Sequence, residues 1–247
     1  MPSKQPEISV VILCYRAEEY VRLFVTEIKE VLRKRGLHFE LVLVANYKAK
    51  LKGIDKTPQI VADIASNDST IVVVAEEKRG MMGWDMRAGF KAASGRTIAV
   101  IDGDGQMPAA DVIKVYNALT SWPDYDLAKT YRDQRFDGFS RLAFSIFYNL
   151  FLDILFRGVK TRDVNSKPKI FKREALEKLH LASDDWFIDS EIIIKATKLN
   201  MSIVDVPTKF YVNANRRSFI KFSTIFEFVK NLFYYRIKYW FIPISKL

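Results

Sequence analysis

The chain has 247 residues, 49% of them hydrophobic and 28% charged, so it can bury a sizeable core and is not intrinsically disordered. Its formal net charge of +10 indicates an anionic partner, such as nucleic acid, a lipid surface or a phosphorylated substrate. The single cysteine, Cys14, excludes an intrachain disulfide framework and a cysteine-based zinc site, so we expect a reducing, cytoplasmic location.

Five short apolar runs in the first half predict buried β-strands, over residues 8–13, 39–45, 71–75, 97–101 and 127–129. Helical patterns separate them, over residues 18–34, 58–65, 84–93 and 109–119. This alternation predicts an α/β fold with a mostly parallel, Rossmann-like sheet flanked by helices. In such sheets, ligands bind beyond the carboxyl ends of the strands.

The second half of the chain has a different texture. It predicts a strongly apolar helix over residues 138–157 and a loop over 163–173 that runs into a short extended segment. A helix over 188–199 and a strand over 201–206, ended by Pro207, follow. The stretch 218–241 is the most amphipathic part. We therefore expect a catalytic unit over residues 1–212 and an appended C-terminal helical segment over 213–247.

Two carboxylates follow the fourth predicted strand in the segment DGDGQ. Residues i and i+2 of an extended segment point to the same side, so Asp102 and Asp104 can face one site. Gly103 and Gly105 let backbone and ligand approach closely. A divalent cation relieves the repulsion between neighbouring carboxylates, and Mg²⁺ commonly adds phosphate oxygens as ligands; Gln106 offers a further oxygen. The alternative is a polar turn, which the preceding strand disfavours.

Three segments carry a resemblance to glycosyltransferase family 2. SVVILCYRAEEYV (residues 9–21) resembles the opening S-V-V-I-P-x-Y-N-E of that family. RGMMGWDMRAGFKAASGRTIAVIDGDGQMP (79–108) resembles its N-x-G-x-x-x-A-x-x-x-G-x-x-x-A-x-G-D-x-I-x-x-x-D-A-D-L-Q-x-P block, and YDLAKTYRDQR (125–135) resembles Y-D-x-V-x-G-x-R. The D-x-D-x-Q string is similar to that of the dolichol- or polyprenyl-phosphate branch. The resemblance implies a GT-A fold and metal-dependent, inverting transfer of a sugar from a nucleoside diphosphate to a polyprenyl phosphate.

For the donor, the resemblance implies that Asp102, Asp104 and Gln106 hold Mg²⁺ or Mn²⁺ on the diphosphate of a UDP- or GDP-sugar. It implies further donor-binding residues along the chain: Leu13 and Tyr15 at the base, Glu18 nearby, Gly83, Gly103, Arg132 from G-x-R, Lys169 in place of the arginine of D-x-T-S-G-F-R, and Arg217 or Arg216 from R-x-x-G-x-S. A surface role for the last two arginines stays open. The D-D-G-S after the second strand is replaced by Ala45-Asn46-Tyr47-Lys48, and the Asn46 amide is a candidate contact to the base.

For the acceptor, Arg141 and Ser145 match the R-x-x-x-S of that family, and the resemblance implies that they contact the acceptor phosphate. A phosphate is already ionised near neutral pH and needs no general base, whereas a sugar hydroxyl needs one. Asp189 and Glu191 are candidates for that base or for a sugar contact; ordinary charge at a helix N-terminus is their alternative. Two other functions stay open, namely transfer to a saccharide or other hydroxyl acceptor and a degenerate, non-catalytic nucleotide-binding protein.

The C-terminal stretch favours a membrane surface as partner. Residues 222–240 place apolar and aromatic side chains at i, i+3, i+4 and i+7, with lysines largely on the other face. We therefore expect peripheral attachment to the cytoplasmic face of a membrane, since no uncharged apolar run approaches the ~20 residues of a span. The alternative is a helix that packs on the protein itself or on a second copy, giving a homo-oligomer. Net positive charge is the only feature of the sequence that favours nucleic acid as a partner, and this is too little evidence, so we expect no nucleic-acid partner.

Overall fold

The computed structural model describes residues 5–135, 139–156, 158–159, 161–211 and 229–237, with the backbone alone for 134–135 and 139–146. The strands are β1 Ile8–Leu13, β2 Phe39–Val44, β3 Ile71–Val74, β4 Thr97–Asp102, β5 Leu127–Arg135, β6 Lys169–Lys172 and β7 Ile203–Phe210. The helices are α1 Tyr20–Lys34, α2 Thr57–Ser66, α3 Met82–Ala92, α4 Ala110–Thr120, α5 Phe139–Leu155, α6 Arg173–Lys178 and α7 Ile188–Lys198. A helical stretch over 229–237, here called α8, lies near the C-terminus.

The strands form one seven-stranded sheet in the order β3-β2-β1-β4-β6-β5-β7. β1 to β4 run parallel, β5 and β7 run parallel to each other, and β6 runs antiparallel to both of its neighbours, β4 and β5. The predicted α/β class with a mostly parallel sheet is therefore confirmed. Because β6 is reversed, its amino end lies at the same sheet edge as the carboxyl ends of the other strands.

Alternate side chains of the strands enter two separate cores. Ile8, Val10 and Ile12 of β1 pack in the layer that contains α1, α2 and α4. Val11 and Leu13 pack in the opposite layer, which contains α3, α5, α7 and α8. Both faces of the central strands are therefore covered, which explains why those strands are nearly continuous apolar runs.

Two strands differ from the predicted ones at their ends. β7 continues through Pro207 to Phe210, so the prediction that Pro207 ends this strand is wrong. β7 is an edge strand paired only with β5, and a proline without an N–H is tolerated there. β5 also continues beyond Lys129 to Arg135. Its first three residues lie between β6 and β7, and the rest pairs with β7 and carries polar side chains, so the apolar run ends before the strand does.

α8 packs on the protein through one side. Leu232 and Tyr235 are buried, and the Tyr235 ring stacks on Phe187 with 4.1 Å between centroids. Phe233 and Ile237 are exposed. In the portion of the chain that the structure covers, no helix combines the length and apolar character needed to cross a membrane.

Candidate active site

The DGDGQ segment begins at the carboxyl end of β4. Asp102 is the last residue of that strand, lies opposite Leu13 of β1, and has a side chain that is 38% exposed. Immediately after it, the Gly103 amide donates to the Leu13 carbonyl over 3.0 Å. A Cβ at Gly103 would lie only 3.0 Å from the same oxygen, so the turn fits closely against β1. The carboxylate of Asp102 consequently emerges at the edge where ligands of such sheets bind.

The rest of the segment is a tight turn that ends at β7. Gly105 has a φ of +67°, and a Cβ there would lie 1.8 Å from the hydroxyl of Tyr20. Asp104 Oδ1 accepts from the Gln106 amide over 3.1 Å. Gln106 Nε2 donates to the Tyr211 carbonyl over 3.2 Å, and the Tyr211 amide donates to the Gln106 carbonyl over 2.9 Å. The two carboxylates therefore sit on a turn anchored at both ends.

The donor atoms of this turn suit Mg²⁺ or Mn²⁺ held jointly with a phosphorylated ligand. Within the described parts of the chain, no group of three or more His, Cys, Asp and Glu side chains is arranged to hold a metal ion. Asp102 and Asp104 supply hard carboxylate oxygens, and Mg²⁺ usually takes its remaining ligands from water and substrate phosphate. The residues fit a cation that a diphosphate helps to bind.

A buried charge cluster lies next to this turn. Asp189, in the first turn of α7, accepts from Lys169 Nζ at 2.6 Å and from Lys167 Nζ at 3.0 Å. All three side chains are at most 2% exposed. Lys167 Nζ also lies 3.5 Å from Asp102 Oδ2, which joins the cluster to the candidate cation site.

The cluster sets the protonation of its members. Burial lowers the pKa of Lys169 to about 8, against the opposing effect of Asp189. Burial acts in the same direction on Lys167, but the carboxylates of Asp102 and Asp189 outweigh it and raise the pKa of that ammonium group. Burial would raise the pKa of Asp189, yet the two lysines hold it below its usual value. A carboxylate held between two ammonium groups is a poor proton acceptor, so this geometry does not favour Asp189 as a general base.

Glu191, the second candidate base, is 1% exposed, and its side chain contacts the loop before α7. Both of its carboxylate oxygens accept from the Ala182 amide at 3.1 Å, and one accepts from the Ser183 amide at 2.8 Å. Lys195 Nζ lies 2.9 Å from the carboxylate. These contacts hold the loop before α7 in place. They satisfy the buried carboxylate of Glu191, so its burial is explained by a structural role.

At the carboxyl half of β5, Arg132 is clamped by Asp163. The Arg132 Nε and one terminal nitrogen donate to the two Asp163 oxygens over 2.6 and 2.7 Å, and the Arg132 amide donates to the same carboxylate over 3.2 Å. Burial would raise the pKa of Asp163, but Arg132 and Lys129 lower it to about 2. Arg132 is therefore held rigidly near the site edge, with its guanidinium 5.3 Å from the Phe210 ring centroid.

The predicted base end of the site is a second buried polar cluster. Asn46, 1% exposed, donates to Asp85 Oδ1 over 3.0 Å and accepts from the Glu76 amide over 2.8 Å. The other Asp85 oxygen pairs with Lys78, whose ammonium group lies 4.3 Å from the Tyr15 ring centroid. The structure thus brings Tyr15 and Asn46 to one cluster, and it commits the Asn46 amide to contacts within the protein.

Other predicted donor residues lie at varied positions. Leu13 is buried in the layer that contains α3. Glu18 is exposed and has a φ of +48°. Its backbone amide donates to Thr57 Oγ1 over 3.0 Å. Gly83 lies against the loop before α7, where a Cβ would be 2.3 Å from the Ser183 carbonyl. Its place is explained by close packing of two backbones.

The predicted acceptor residues are only partly described. Arg141 and Ser145 lie one helical turn apart in the backbone of α5. Arg216 and Arg217 fall outside the described residues. The roles of these four residues stay predictions.

Sequence reasoning missed Lys167, Lys78 and Asp85. The sequence signal for Asp85 is its position around α3, because it lies on the same buried helix face as Met86 and Gly89. A carboxylate on a buried stripe needs a partner, and Lys78 and Asn46 provide it. The Lys-Pro-Lys run at 167–169 carries no comparable periodic signal.

Comparison with known proteins adds independent information. The model of "Glycosyl transferase family 2" matches residues 9–180. The dolichol-phosphate mannosyltransferase of Pyrococcus furiosus is 25% identical over 238 residues, which are 95% of this chain and 64% of that protein. Glycosyltransferase AglJ of Haloferax volcanii is 29% identical over 117 residues, covering 46% of this chain and 38% of that protein. The chain thus spans less than two thirds of the length of either relative.

Solved structures share the fold at low sequence identity. Glucosyl-3-phosphoglycerate synthase from Mycobacterium tuberculosis, in complex with Mn²⁺, UDP and phosphoglyceric acid, superposes with a TM-score of 0.72 at 16% identity over 96% of this chain and 80% of that one. Its complex with Mg²⁺ and UDP gives a TM-score of 0.65 at 17% identity over 86% of this chain and 73% of that one. These similarities confirm the GT-A architecture.

Proposed function

The chain belongs to glycosyltransferase family 2, and from that premise we propose that it is a metal-dependent inverting transferase that moves a sugar from a nucleoside diphosphate to a polyprenyl phosphate. The observation that carries this proposal is the Asp102 and Asp104 pair at the carboxyl end of β4, backed by buried lysines. That combination suits a diphosphate, which needs cations close to its leaving oxygens.

On the donor side, Asp102, Asp104 and Gln106 would hold Mg²⁺ or Mn²⁺ with the diphosphate of a UDP- or GDP-sugar. The cation, when bound, stabilises the negative charge that develops on the departing diphosphate. Arg132, whose Nε and one terminal nitrogen donate to Asp163, is proposed as a further phosphate contact through its remaining N–H groups. The Tyr15 ring, which has the Lys78 ammonium group over one face, is the proposed aromatic contact for the base.

On the acceptor side, the state of the two candidate bases supports a phosphate rather than a hydroxyl. Asp189 is paired with two lysines, and Glu191 accepts from backbone amides and Lys195. A polyprenyl phosphate attacks without a base, because its oxygen is already ionised near neutral pH. The name of the Pyrococcus relative, dolichol-phosphate mannosyltransferase, supports the same acceptor class. Arg141 and Ser145 of α5 are the proposed phosphate contacts.

An apolar surface beside α8 supports attachment to a membrane. Phe147, Leu150 and Ile154 follow i, i+3, i+7 spacing on α5 and are 58%, 56% and 62% exposed. A cavity of about 260 Å³, lined by Ile154 among others, lies between α5, α7 and α8, with Lys198 and Arg236 also in its lining. Apolar side chains flanked by cations match the boundary between lipid headgroups and acyl chains.

We propose the same division of labour for the chain as a whole, with catalysis in residues 1–212 and surface attachment in 213–247. The buried side of α8, through Leu232 and Tyr235, packs in the layer that contains α5 and α7. Its exposed side, with Phe233 and Ile237, extends the apolar surface of α5.

The test is transfer of labelled sugar into organic extract. Purified protein is incubated with Mn²⁺, undecaprenyl or dolichyl phosphate in detergent, a mixture of soluble saccharides, and UDP- or GDP-sugars in turn. We expect labelled lipid with one donor, abolished in Asp104→Asn and retained in Asp63→Asn, an exposed carboxylate on α2. Label that enters only soluble saccharides would establish a hydroxyl acceptor instead. Nucleotide binding without any transfer would identify a non-catalytic protein.

A further inference from the structure

One buried ammonium group reaches the candidate cation site from inside the protein. Lys167 precedes Pro168 at the amino end of β6, and the antiparallel register of β4 with β6 pairs Val100 with Lys169. Two residues after Val100 and two residues before Lys169, the side chains of Asp102 and Lys167 come into contact. The antiparallel placement of β6 beside β4 therefore brings the lysine to this carboxylate.

The contacts of Lys167 define its position closely. Its Nζ lies 3.0 Å from Asp189 Oδ2, 3.5 Å from Asp102 Oδ2 and 3.4 Å from the sulfur of Met82. The lysine side chain is 2% exposed, whereas the side chain of Asp102 is 38% exposed. The ammonium group is therefore shielded from solvent, whereas the carboxylate that it contacts is partly open to it.

Among the described residues, the carboxylates in contact with Lys167 are those of Asp189 and Asp102. Two buried ammonium groups, those of Lys167 and Lys169, share the single buried carboxylate of Asp189. Asp102 is the next carboxylate in contact with Lys167, so it serves as the second counter-ion. A divalent cation that approaches Asp102 alone must share this carboxylate and is repelled by the ammonium group. A diphosphate that arrives with the cation brings negative charge that both positive groups attract.

We infer that Lys167 is a built-in counter-cation of the donor site. It keeps Asp102 charge-balanced in the nucleotide-free protein, so that a divalent cation binds tightly only together with a nucleoside diphosphate. Lys167 is thus a positioning residue that couples cation binding to nucleotide binding. This inference rests on the proposed function, because it takes the Asp102 site to be the diphosphate site.

The experiment measures Mn²⁺ affinity of the full chain by electron paramagnetic resonance of the free ion, with and without UDP. For the native protein we expect UDP to tighten Mn²⁺ binding at least about tenfold. For Lys167→Met we expect Mn²⁺ alone to bind at least about tenfold tighter than it binds to the native protein. Lys129→Met is the matched control. It removes another fully buried ammonium group of the sheet, paired with Asp205 at 2.9 Å, and its Mn²⁺ affinity stays at the native value.

Equal Mn²⁺ affinity of Lys167→Met and the native protein overturns the inference, as does native Mn²⁺ binding that a nucleoside diphosphate, once shown to bind, leaves unchanged. If circular dichroism shows Lys167→Met to be unfolded, Lys167→Gln replaces it, since glutamine still donates to Asp189 without a charge. Failure of every nucleotide to bind would overturn the proposed function, and the nucleotide-free comparison would still decide the role of Lys167.

Discussion

Asp85 of α3 and Lys78 of the preceding loop form an ion pair whose side chains are only 5% and 3% exposed. Asn46, at the end of β2, completes the cluster through its bond to Asp85. Burial acts against both charges, raising the pKa of Asp85 and lowering the pKa of Lys78. This pair stands where the sequence predicts the nucleotide base, so its integrity governs that end of the site.

Breaking this pair should cost more than removing it. Asp85→Asn leaves a buried ammonium group without its counter-ion, and we expect the free energy of unfolding to fall by about 3 kcal/mol. The double variant Asp85→Asn, Lys78→Met should recover part of that loss, because no buried charge remains. Urea unfolding of the two single variants and the double variant measures the coupling. Simple additivity of the two single losses would contradict the pairing.

The clamp of Asp163 on Arg132 predicts a specific sensitivity to acid. The pKa of Asp163 is lowered to about 2, below that of an unfolded aspartate, so the pair stabilises the fold above about pH 4. That contribution, about 2 kcal/mol, is lost as the pH falls from about 4 through about 2. Asp163→Asn should be less stable at neutral pH and lose less stability over that acid range. Urea unfolding at a series of pH values measures both.

Asp68 provides the control for Asp163. Burial would raise the pKa of Asp68, but Lys29 and Thr70 lower it to about 2. Asp68→Asn should therefore reduce acid sensitivity in the same sense without affecting sugar transfer. Equal loss of transfer in both variants would argue against a donor contact by Arg132.

Gly105 and Gly36 separate backbone strain from damage to the site. Both have positive φ, +67° and +73°, so alanine at either position should cost about 1 kcal/mol of strain. A Cβ at Gly36 meets nothing within 4 Å, whereas one at Gly105 displaces the Tyr20 hydroxyl. We expect only Gly105→Ala to weaken binding of Mn²⁺ with UDP. Thermal unfolding and calorimetric titration compare the variants, and equal binding by both would exclude a tight DGDGQ turn as a requirement.

Glu191 should prove structural. Glu191→Gln places an amide nitrogen against backbone N–H groups, and we expect a loss of about 1–3 kcal/mol in stability with unchanged turnover per folded molecule. Glu174→Gln, an exposed change in the first turn of α6, is the control for stability. A fall in turnover of about a hundredfold in folded Glu191→Gln would instead identify it as a general base.

The exposed face of α5 should govern membrane binding. The double variant Leu150→Glu, Ile154→Glu puts two charges on that face, and we expect at least about tenfold weaker binding to vesicles that contain anionic phospholipid. Leu23→Glu is the matched control, since Leu23 is 64% exposed on α1 in the opposite layer. Vesicle co-sedimentation compares the two variants, and an equal effect of the double variant and of Leu23→Glu would contradict a contact of α5 with the membrane surface.

Most elements of the first two thirds of the chain follow from the sequence to within two residues. β1 has its predicted bounds, and α1 begins two residues later than predicted. Apolar periodicity is a relation between neighbouring residues, so it survives without knowledge of the rest of the fold. The prediction failed where strand neighbours decide the outcome, as in β7, which passes through Pro207 because it lies at a sheet edge.

The sequence by itself determined the carboxylate turn after β4 and the family resemblance, since both reside in contiguous residues. Only the tertiary structure decided what surrounds that turn. β6 enters the sheet antiparallel between β4 and β5, and this insertion brings Lys167 to Asp102. Asn46 contacts Asp85 because β2 ends at the same edge of the sheet at which α3 begins. Such contacts join residues far apart in the chain, and their register is set by sheet order, which no local pattern encodes.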